Sequence, residues 1–471
     1  MAQPWAAREV AGAQLPDDRF RPNVARIAEG LASNGGSSFS VACGHGGRQA
    51  ARRLFRNEET TVAGLLQGHV EQTAVRCSAA GHDLVLCIQD TTTLDYTRHR
   101  SKTGLGPISY DSSSRGLLAH SVLAVAPDGV PLGVLHLDIW SRDAIRPVGE
   151  REAGEEPNKR TRRKRDTSEK ESGKWLRGLR AVQQALPPSQ TVLMVQDREA
   201  DVFDLFAEPR RSRTHLLVRM AQGRRRVEAE CRDEAVCNSV LSTIEGTPVA
   251  GEMVVEVGRK PNQPAREARL TVQFSSMRLL PPRNPQTSAS RARQAQPITV
   301  IRAAEVDAPD GVEPICWILL STMPVSTVEE ARRIVGYYAL RWMIERLHFT
   351  LKSGCSNVER VQIDDGHALK NALAIYYMVA WRVLHLTHLA RTKPDEPADL
   401  VLSPLEQQVL RAASKRPVAT VADALTEIAR LAGHEHYAKA PPPGVKRVWQ
   451  GLRILETLTQ GWILAQLGHK M

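Results

Sequence analysis

The chain has 471 residues, 42% of them hydrophobic, so it is long enough to form about two to four globular domains. Its net charge of +11 and isoelectric point near 9.5 favour a polyanionic partner such as nucleic acid. No apolar run approaches the roughly 18 to 20 residues of a membrane span, no secretory signal is visible, and the seven cysteines are scattered. We therefore expect a cytoplasmic protein with reduced thiols and no membrane partner.

The N-terminal part, to about residue 75, has the pattern of a helical region with a basic face. Between Gly46 and Asn57, Arg52 and Arg56 lie one helical turn apart, and Arg53 is their neighbour in the chain. Such a face can bind the phosphates of duplex DNA, although an ordinary solvated helix has the same pattern.

Two short apolar segments end in the same way. Leu84 to Asp90 and Thr191 to Asp197 each have the composition of a buried strand, and in both the aspartate follows a glutamine. The pattern predicts that Asp90 and Asp197 stand at the ends of two strands.

The segments between and after these strands alternate in type. Ser121–Ala126 and Val134–Ile139 flank the turn tripeptide 127–129, which predicts an antiparallel hairpin, and Trp175–Ala185 has helical character. The charged stretch 142–171, with its basic run 159–165, predicts a loop. Further strands are predicted at 216–219, 253–257, 268–274, 298–306 and 317–320, with a polar loop at 281–296, which together indicate an all-β insertion.

The segment from Tyr338 to Lys352 is the most informative. At roughly 100° per residue, Tyr338, Arg341, Glu345 and Lys352 share a stripe about 60° wide. The opposite face carries the aliphatic side chains Leu340, Met343, Ile344, Leu347 and Leu351. A capping box at 326–329 and a glycine at 354 predict one helix from about Thr327 to Ser353. Helices are also predicted at 368–391, 404–413, 418–431 and 445–467.

Asp90, Asp197 and Glu345 are candidates for a catalytic, metal-binding acid triad. Magnesium prefers oxygen ligands and leaves positions for water and phosphate, and two such ions can activate the attacking oxygen and stabilise the leaving one. Each acid alone can also be explained without a functional role, since a strand-end aspartate is often a turn residue and a helical glutamate is usually solvated. The joint pattern favours a metal-dependent enzyme acting on a nucleic-acid backbone.

Several basic and aromatic residues are candidates for DNA contact around these acids. Arg341 and Lys352 have the chemistry to bind phosphate oxygens, and Tyr338 can hydrogen-bond to a phosphate or stack on a base. Trp317 fits either a core position or a pocket for an extruded base, and Trp342 is open to the same two interpretations. Arg219 ends the strand that follows Asp197.

These residues resemble those of the bacterial insertion-sequence DDE transposases with the Tyr-Arg-Glu-Lys signature, the Tn-five-like group of the IS-four family. The pattern Y-x2-R-x3-E-x6-K is satisfied at Tyr338, Arg341, Glu345 and Lys352. Similar blocks, in the same order over nearly the whole chain, are 53–57, 88–92, 114–116 with 120–122, 169–175 and 196–201.

The resemblance implies an α/β fold with an RNase H-like catalytic core, an all-β insertion and helical domains at both ends. The expected division is 1–75 for DNA binding, 76–220 and 326–370 for the core, 221–325 for the insertion, and 371–471 for dimerisation. It implies cut-and-paste transposition by a homodimer in a paired-end complex, in the bacterial cytoplasm and at the nucleoid when bound to DNA. Two Mg²⁺ ions, with Mn²⁺ as a substitute, are the implied cofactors, and transposon ends and target DNA are the implied partners.

The resemblance also assigns individual residues. Asp90, Asp197 and Glu345 match the metal-binding acids, Trp317 matches the tryptophan that holds a flipped base, and Arg219 matches an arginine near the hairpin. Two features depart from the family pattern: Phe349 stands where a lysine is usual, and the basic run 159–165 is an addition. Two other functions remain open, a nuclease that does not join strands and an inactive DNA-binding repressor of transposition.

Overall fold

The computed structural model describes residues 4–34, 39–109, 114–142, 170–223, 225–228, 239–258, 264–282, 294–354, 356–435 and 442–468. The basic run 159–165 lies outside these residues, as does most of the predicted loop 281–296. The chain divides into two compact units. Unit 1 comprises Met1–His82, Thr91–Arg146 and Met343–Met471, and unit 2 comprises Asp83–Asp90 and Pro147–Trp342. The division into five domains stays a prediction.

The helices are α1 (Trp5–Glu9), α2 (Arg21–Asn34), α3 (Phe39–Arg56), α4 (Val62–Ala79), α5 (Gly173–Ala185), α6 (Phe203–Phe206), α7 (Val240–Glu245), α8 (Val328–Ala339), α9 (Trp342–Phe349), α10 (Gly366–Thr392), α11 (Pro404–Ser414), α12 (Val421–Leu431) and α13 (Val445–Gly468). The strands are β1 (Leu84–Asp95), β2 (Gly106–Pro107), β3 (Arg115–Val125), β4 (Pro131–Trp140), β5 (Thr191–Gln196), β6 (Thr214–Arg219), β7 (Val227–Glu228), β8 (Gly251–Val257), β9 (Arg266–Leu279), β10 (Gln296–Val306) and β11 (Cys316–Ser321). The chain is thus a mixed α/β protein, and the predicted helices and strands are present with shifted ends, except for the helix predicted from Thr327 to Ser353. Among the described residues, no helix combines the length and apolar character that crossing a membrane requires.

Unit 1 contains the outer half of β1, from Thr91 onwards, with β3 beside it and β4 and β2 paired to β3. β3 and β4 form the predicted antiparallel hairpin. Its turn contains Gly129, whose φ of 91° an L side chain rarely adopts. A Cβ on Gly116 would lie 1.9 Å from the Leu94 carbonyl oxygen, so the close approach of β3 to β1 requires a glycine there.

Helix α10 is the core element of unit 1. Twenty-one of its 27 residues are buried, which leaves it without a continuous solvent face. Two of its histidines are deeply placed: burial lowers the pKa of His385 to about 4, and burial, with Arg391 and Arg346 nearby, lowers the pKa of His388 to about 4. Both imidazoles are therefore neutral in the folded protein at pH 7.

This burial predicts that stability falls in mild acid. The unfolded chain takes up protons on these histidines below about pH 6.5, whereas the folded chain does so only near pH 4. The unfolding free energy should therefore decrease as the pH is lowered from about 6.5 to about 4. The limiting slope is about 1.4 kcal/mol per pH unit for each histidine. Denaturant unfolding at pH 7.5, 6 and 5 measures this slope, and His388→Gln should reduce it. A slope that the variant leaves unchanged would contradict the prediction.

Unit 2 is built on one sheet with the order β1-β5-β6-β11-β10-β9-β7, and β8 pairs with β9. The first half of β1 pairs in parallel with β5, and β5 pairs in parallel with β6. From β6 onward the neighbours are antiparallel. The strands predicted between 216 and 320 are all present, but the insertion is not all-β. It contains α7, which Ser239 begins by accepting a hydrogen bond from the backbone N–H of Ser242 at 3.2 Å.

A buried ion pair ties together two loops at one end of this sheet. The Asp201 carboxylate accepts hydrogen bonds from the backbone N–H groups of Ala221 (2.8 Å) and Gln222 (3.0 Å), and it lies 2.7 Å from Nε of Arg225. The side chain of Asp201 is fully buried. The loop after β5 is thereby attached to the loop after β6.

The single helix predicted from Thr327 to Ser353 is wrong. α8 ends at Ala339, α9 begins at Trp342, and Thr350–Gly354 form a π-helical turn. The backbone tightens between them, where the N–H of Arg341 bonds to the carbonyl of Tyr338 at 2.9 Å. This turn breaks the uniform angular spacing on which the predicted stripe depends.

The break changes the exposure of the residues in the predicted stripes. Tyr338, predicted on the polar face, is buried with 3% exposed, and Leu340, predicted on the apolar face, is only partly buried. The other four aliphatic residues are buried as predicted, namely Met343, Ile344, Leu347 and Leu351.

Candidate active site

The two candidate aspartates of unit 2 lie in register on neighbouring strands. Ile88 of β1 pairs with Val195 of β5 in parallel, and Asp90 and Asp197 each lie two residues further along the chain. Because side chains alternate along a strand, both aspartate side chains project from the same face of the sheet, and their strands are about 5 Å apart. The pairing of β1 with β5 therefore brings this acid pair together. Only Asp197 follows a strand end as predicted, because β1 continues past Asp90 to Asp95.

Asp90 is already paired with a cation. Its carboxylate lies 3.5 Å from the Arg341 guanidinium, and each side chain is 20% exposed. Arg341 occupies this position because the chain turns between α8 and α9. The arrangement places a phosphate-binding group directly beside a potential metal ligand.

The residues that follow Asp197 hold its side chain in place. Its side chain accepts a hydrogen bond from the backbone N–H of Glu199 at 2.9 Å and so begins a short 3₁₀ turn. Burial raises the pKa of Asp197, while the bond from Glu199 and the charges of Arg341 and Lys174 oppose the rise. A carboxylate with a raised pKa amid nearby cations is typical of functional sites.

A lysine and a glutamate that we did not predict lie beside Asp197. Nζ of Lys174, on α5, lies 3.0 Å from the Glu199 carboxylate, and the lysine is almost fully buried while the glutamate side chain is 66% exposed. Lys174 belongs to the block 169–175 that supported the family resemblance. Buried lysines are uncommon, so the burial of Lys174 would have identified it as a candidate functional residue, but the sequence does not show which lysines are buried.

Arg219, Tyr338 and Trp317 form a second group in unit 2. Val218 pairs with Gln196, so Arg219 is the strand-end neighbour of Asp197. Arg219 donates a hydrogen bond to the Tyr338 hydroxyl, and burial raises the pKa of that phenol against the opposing charges of Arg341 and Arg219. The rings of Tyr338 and Trp317 meet edge to face with centroids 5.2 Å apart. Trp342, also of unit 2, is 42% exposed.

Glu345 and Lys352 belong to unit 1. Glu345 is exposed on α9. Nζ of Lys352 lies 3.9 Å from the Glu359 carboxylate, which also accepts a hydrogen bond from the backbone N–H of Asp95 at 3.0 Å. Burial lowers the pKa of Lys352, opposed by Glu359 and Asp95. Glu359 is a further neighbour that the sequence pattern did not indicate.

The basic face of α3 is exposed, as predicted. Arg52, Arg53 and Arg56 point to solvent, and Leu54 and Phe55 between them are buried. The aliphatic and aromatic side chains fix the helix in unit 1 and leave the three guanidinium groups available for an anionic partner.

The acids and cations of unit 2 have the chemistry of a phosphate and cation site. In the part of the chain that the structure describes, no three His, Cys, Asp or Glu side chains are grouped to hold a metal ion. Unit 2 itself offers the carboxylate pair of Asp90 and Asp197, and magnesium in proteins is often held by one or two carboxylates plus water and phosphate.

One comparison with known proteins bears on function. Residues 2–60 match a family described as transposase DNA-binding. The match covers α1, α2 and α3, including the exposed arginines. It supports a transposase role, DNA as a partner and the processing of DNA as the activity.

Proposed function

We propose that the protein is a DDE transposase that moves DNA by cut-and-paste transposition. The observation that carries the proposal is the in-register pair Asp90 and Asp197, with Arg341 beside one and Arg219 next to the other, in a chain whose first 60 residues match a transposase DNA-binding family. The acids suit metal binding, the arginines suit phosphate binding, and the N-terminal match supplies the substrate class.

The strand order supports an RNase H-like core for this chemistry. In unit 2 the order is β1, β5 and then β6, with parallel pairing, and in unit 1 β3 lies beside the outer half of β1 and forms a hairpin with β4. A core of this kind needs a hairpin next to the first strand and parallel strands on its other side. Asp90 then stands on the central strand and Asp197 at the end of its parallel neighbour.

The residues present fit the expected metal. Asp90 and Asp197 are oxygen ligands, both retain some exposure, and Glu345 in unit 1 would supply the third carboxylate. Two Mg²⁺ ions bound there, or Mn²⁺ in their place, would activate the attacking oxygen and stabilise the leaving oxygen of a phosphodiester.

The remaining residues would bind and orient DNA. Arg341 and Arg219, with Lys352 from unit 1, would hold phosphate oxygens, and the Tyr338–Trp317 ring pair would receive a base extruded from the duplex. In the first step water attacks the phosphorus and the bond to the 3′ oxygen breaks. The freed 3′ hydroxyl would then attack a phosphorus of the opposite strand, which forms a hairpin as the bond from that phosphorus to the 3′ oxygen of the flanking DNA breaks. Water would attack the hairpin phosphorus and free the 3′ hydroxyl again. This hydroxyl would finally attack a phosphorus of the target and displace a 3′ oxygen of the target strand. Residues 371–471 would hold two copies together in the paired-end complex.

A joining assay tests the proposal. The full chain is incubated with Mg²⁺, a duplex containing the DNA that flanks its own gene, and a circular target DNA, with a chelator as the control. We expect metal-dependent cleavage followed by joined products. Cleavage without joining would identify a nuclease, and binding without cleavage would identify a repressor; either result would overturn the proposal.

A further inference from the structure

The DNA-binding helix α3 ends against helix α10, more than 300 residues later in the chain. The amide of Asn371 donates hydrogen bonds to the carbonyl oxygens of Phe55 and Thr60, each at 3.0 Å. Nε2 of His367, one turn earlier on α10, lies 3.0 Å from the carbonyl oxygen of Asn57. All five residues belong to unit 1.

One of these carbonyl groups needs a partner because it lies at the end of a helix. The last four carbonyls of a helix have no partner within it, and Phe55 is the penultimate residue of α3. The residues that directly follow supply part of the cap, since the N–H of Asn57 bonds to the Leu54 carbonyl at 3.2 Å and the N–H of Thr60 bonds to the Asn57 carbonyl at 3.0 Å. Helix α10 supplies the bond to Phe55, and Asn371 is 1% exposed, so water does not compete for its two bonds.

The Asn371 amide has two N–H groups, one for each of its carbonyl partners. Its nitrogen also lies 3.0 Å from Nε2 of His367. Because a carbonyl oxygen only accepts, the bond between His367 and Asn57 requires the tautomer that carries the proton on Nε2. Three carbonyl groups, those of Phe55, Asn57 and Thr60, are thus bound by two side chains from a single turn of α10.

The same terminus carries the exposed arginines. Arg52, Arg53 and Arg56 lie in the last turn and a half of α3, whose direction this contact fixes. The region that matches a transposase DNA-binding family ends at residue 60, which is itself one of the bound carbonyls.

We infer that His367 and Asn371 act as a positioning clamp, in which the C-terminal part of the chain sets the orientation of the DNA-binding arginines. In this role the clamp residues act through the position of α3. The inference rests on the proposed DNA binding by the N-terminal helices. It makes DNA affinity depend on two side chains of α10, far in sequence from the DNA-binding region.

The test compares duplex binding by the full chain and by four variants, over a range of salt concentrations. The probe is a duplex from the DNA flanking the gene. Asn371→Leu removes both donors at similar volume, and His367→Ala removes the third at an exposed position. Arg52→Ala removes a guanidinium directly. Thr387→Val is the matched control, since Thr387 is buried on α10 but donates only to Val383 within the helix.

Arg52→Ala should weaken binding about tenfold and reduce the slope of log affinity against log salt by about 1. Asn371→Leu should weaken binding by a similar factor, and His367→Ala less, whereas Thr387→Val should bind like the wild type. Amide hydrogen exchange in the last turn of α3, without DNA, should accelerate in both clamp variants and not in the control.

Each possible failure has its own meaning. If Arg52→Ala weakens binding but Asn371→Leu and His367→Ala do not, the clamp is refuted while DNA binding by α3 stands. If exchange accelerates but affinity is unchanged, the contact is structural only and the positioning role is overturned. If the wild-type chain binds no duplex at all, the proposed function fails and the inference fails with it.

Discussion

Asp197→Asn should reduce Mg²⁺-dependent cleavage by more than about 100-fold, because even the loss of an outer-shell partner of a metal costs about 10- to 100-fold. The substitution is well suited to the structure. An asparagine oxygen can still accept the hydrogen bond from the Glu199 N–H, so the turn after β5 should remain while the negative charge is lost. Single-turnover cleavage of a labelled duplex measures the effect, and gel-shift titration without metal should show DNA binding retained.

The control for this prediction is a substitution of Asp83, which lies outside the candidate site. Asp83 precedes β1, is exposed and pairs with Arg213 at 2.6 Å. Asp83→Asn removes the same charge from unit 2 but not from the candidate site, and cleavage should stay at the wild-type rate. Asp90→Asn and Glu345→Gln should behave like Asp197→Asn. Wild-type cleavage by any of these three would remove that residue from the acid triad.

Asp201→Asn should destabilise unit 2 strongly. Arg225 would keep its place in a largely buried position but lose its counter-charge, and breaking a buried pair by removing one partner typically costs about 3–5 kcal/mol. The pair also holds the loops that follow β5 and β6, where Asp197 and Arg219 lie. Denaturant unfolding, followed with a probe in unit 2, measures the loss of unfolding free energy.

Two comparisons separate pair loss from a general effect of the substitution. Asp83→Asn breaks an ion pair whose side chains are 75% and 46% exposed, and should cost only about 0–1 kcal/mol. The double change Asp201→Leu with Arg225→Met should recover much of the stability, since apolar groups of similar volume can replace a buried pair. Equal losses for Asp201→Asn and Asp83→Asn would show that burial of the pair contributes little.

The starts of β1 and β5 and the end of β5 were predictable from the sequence, whereas β1 continues past Asp90 to Asp95. The repeated pattern of an apolar run ending in Gln-Asp indicated β1 and β5, because a parallel sheet buried on both faces requires continuous apolar strands. That Asp90 and Asp197 stand in register, however, depends on which strands pair. Pairing is a long-range property, and a single sequence carries no direct signal for it.

The region around the Tyr-Arg-Glu-Lys residues shows why local reasoning failed. A helical wheel assumes uniform geometry, and the turn at Leu340–Arg341 removes that assumption while leaving the composition unchanged. The capping box is also shifted by one residue from the predicted 326–329, since the structure uses Thr327 with Glu330. The sequence alone grouped Tyr338 with Arg341 but did not show that its ring is buried against Trp317.

The clamp has a consequence for the biosynthesis of the protein. Thr60 and Asn371, which bond to each other in the clamp, are separated by 311 residues. A ribosome that adds about 5–20 residues per second therefore synthesises Asn371 on the order of 15–60 s after Thr60. Until α10 emerges, the carbonyl groups of Phe55 and Thr60 lack these bonds and are hydrated instead. A nascent chain would therefore carry its arginines on a frayed helix, and full affinity for DNA would arrive late in translation.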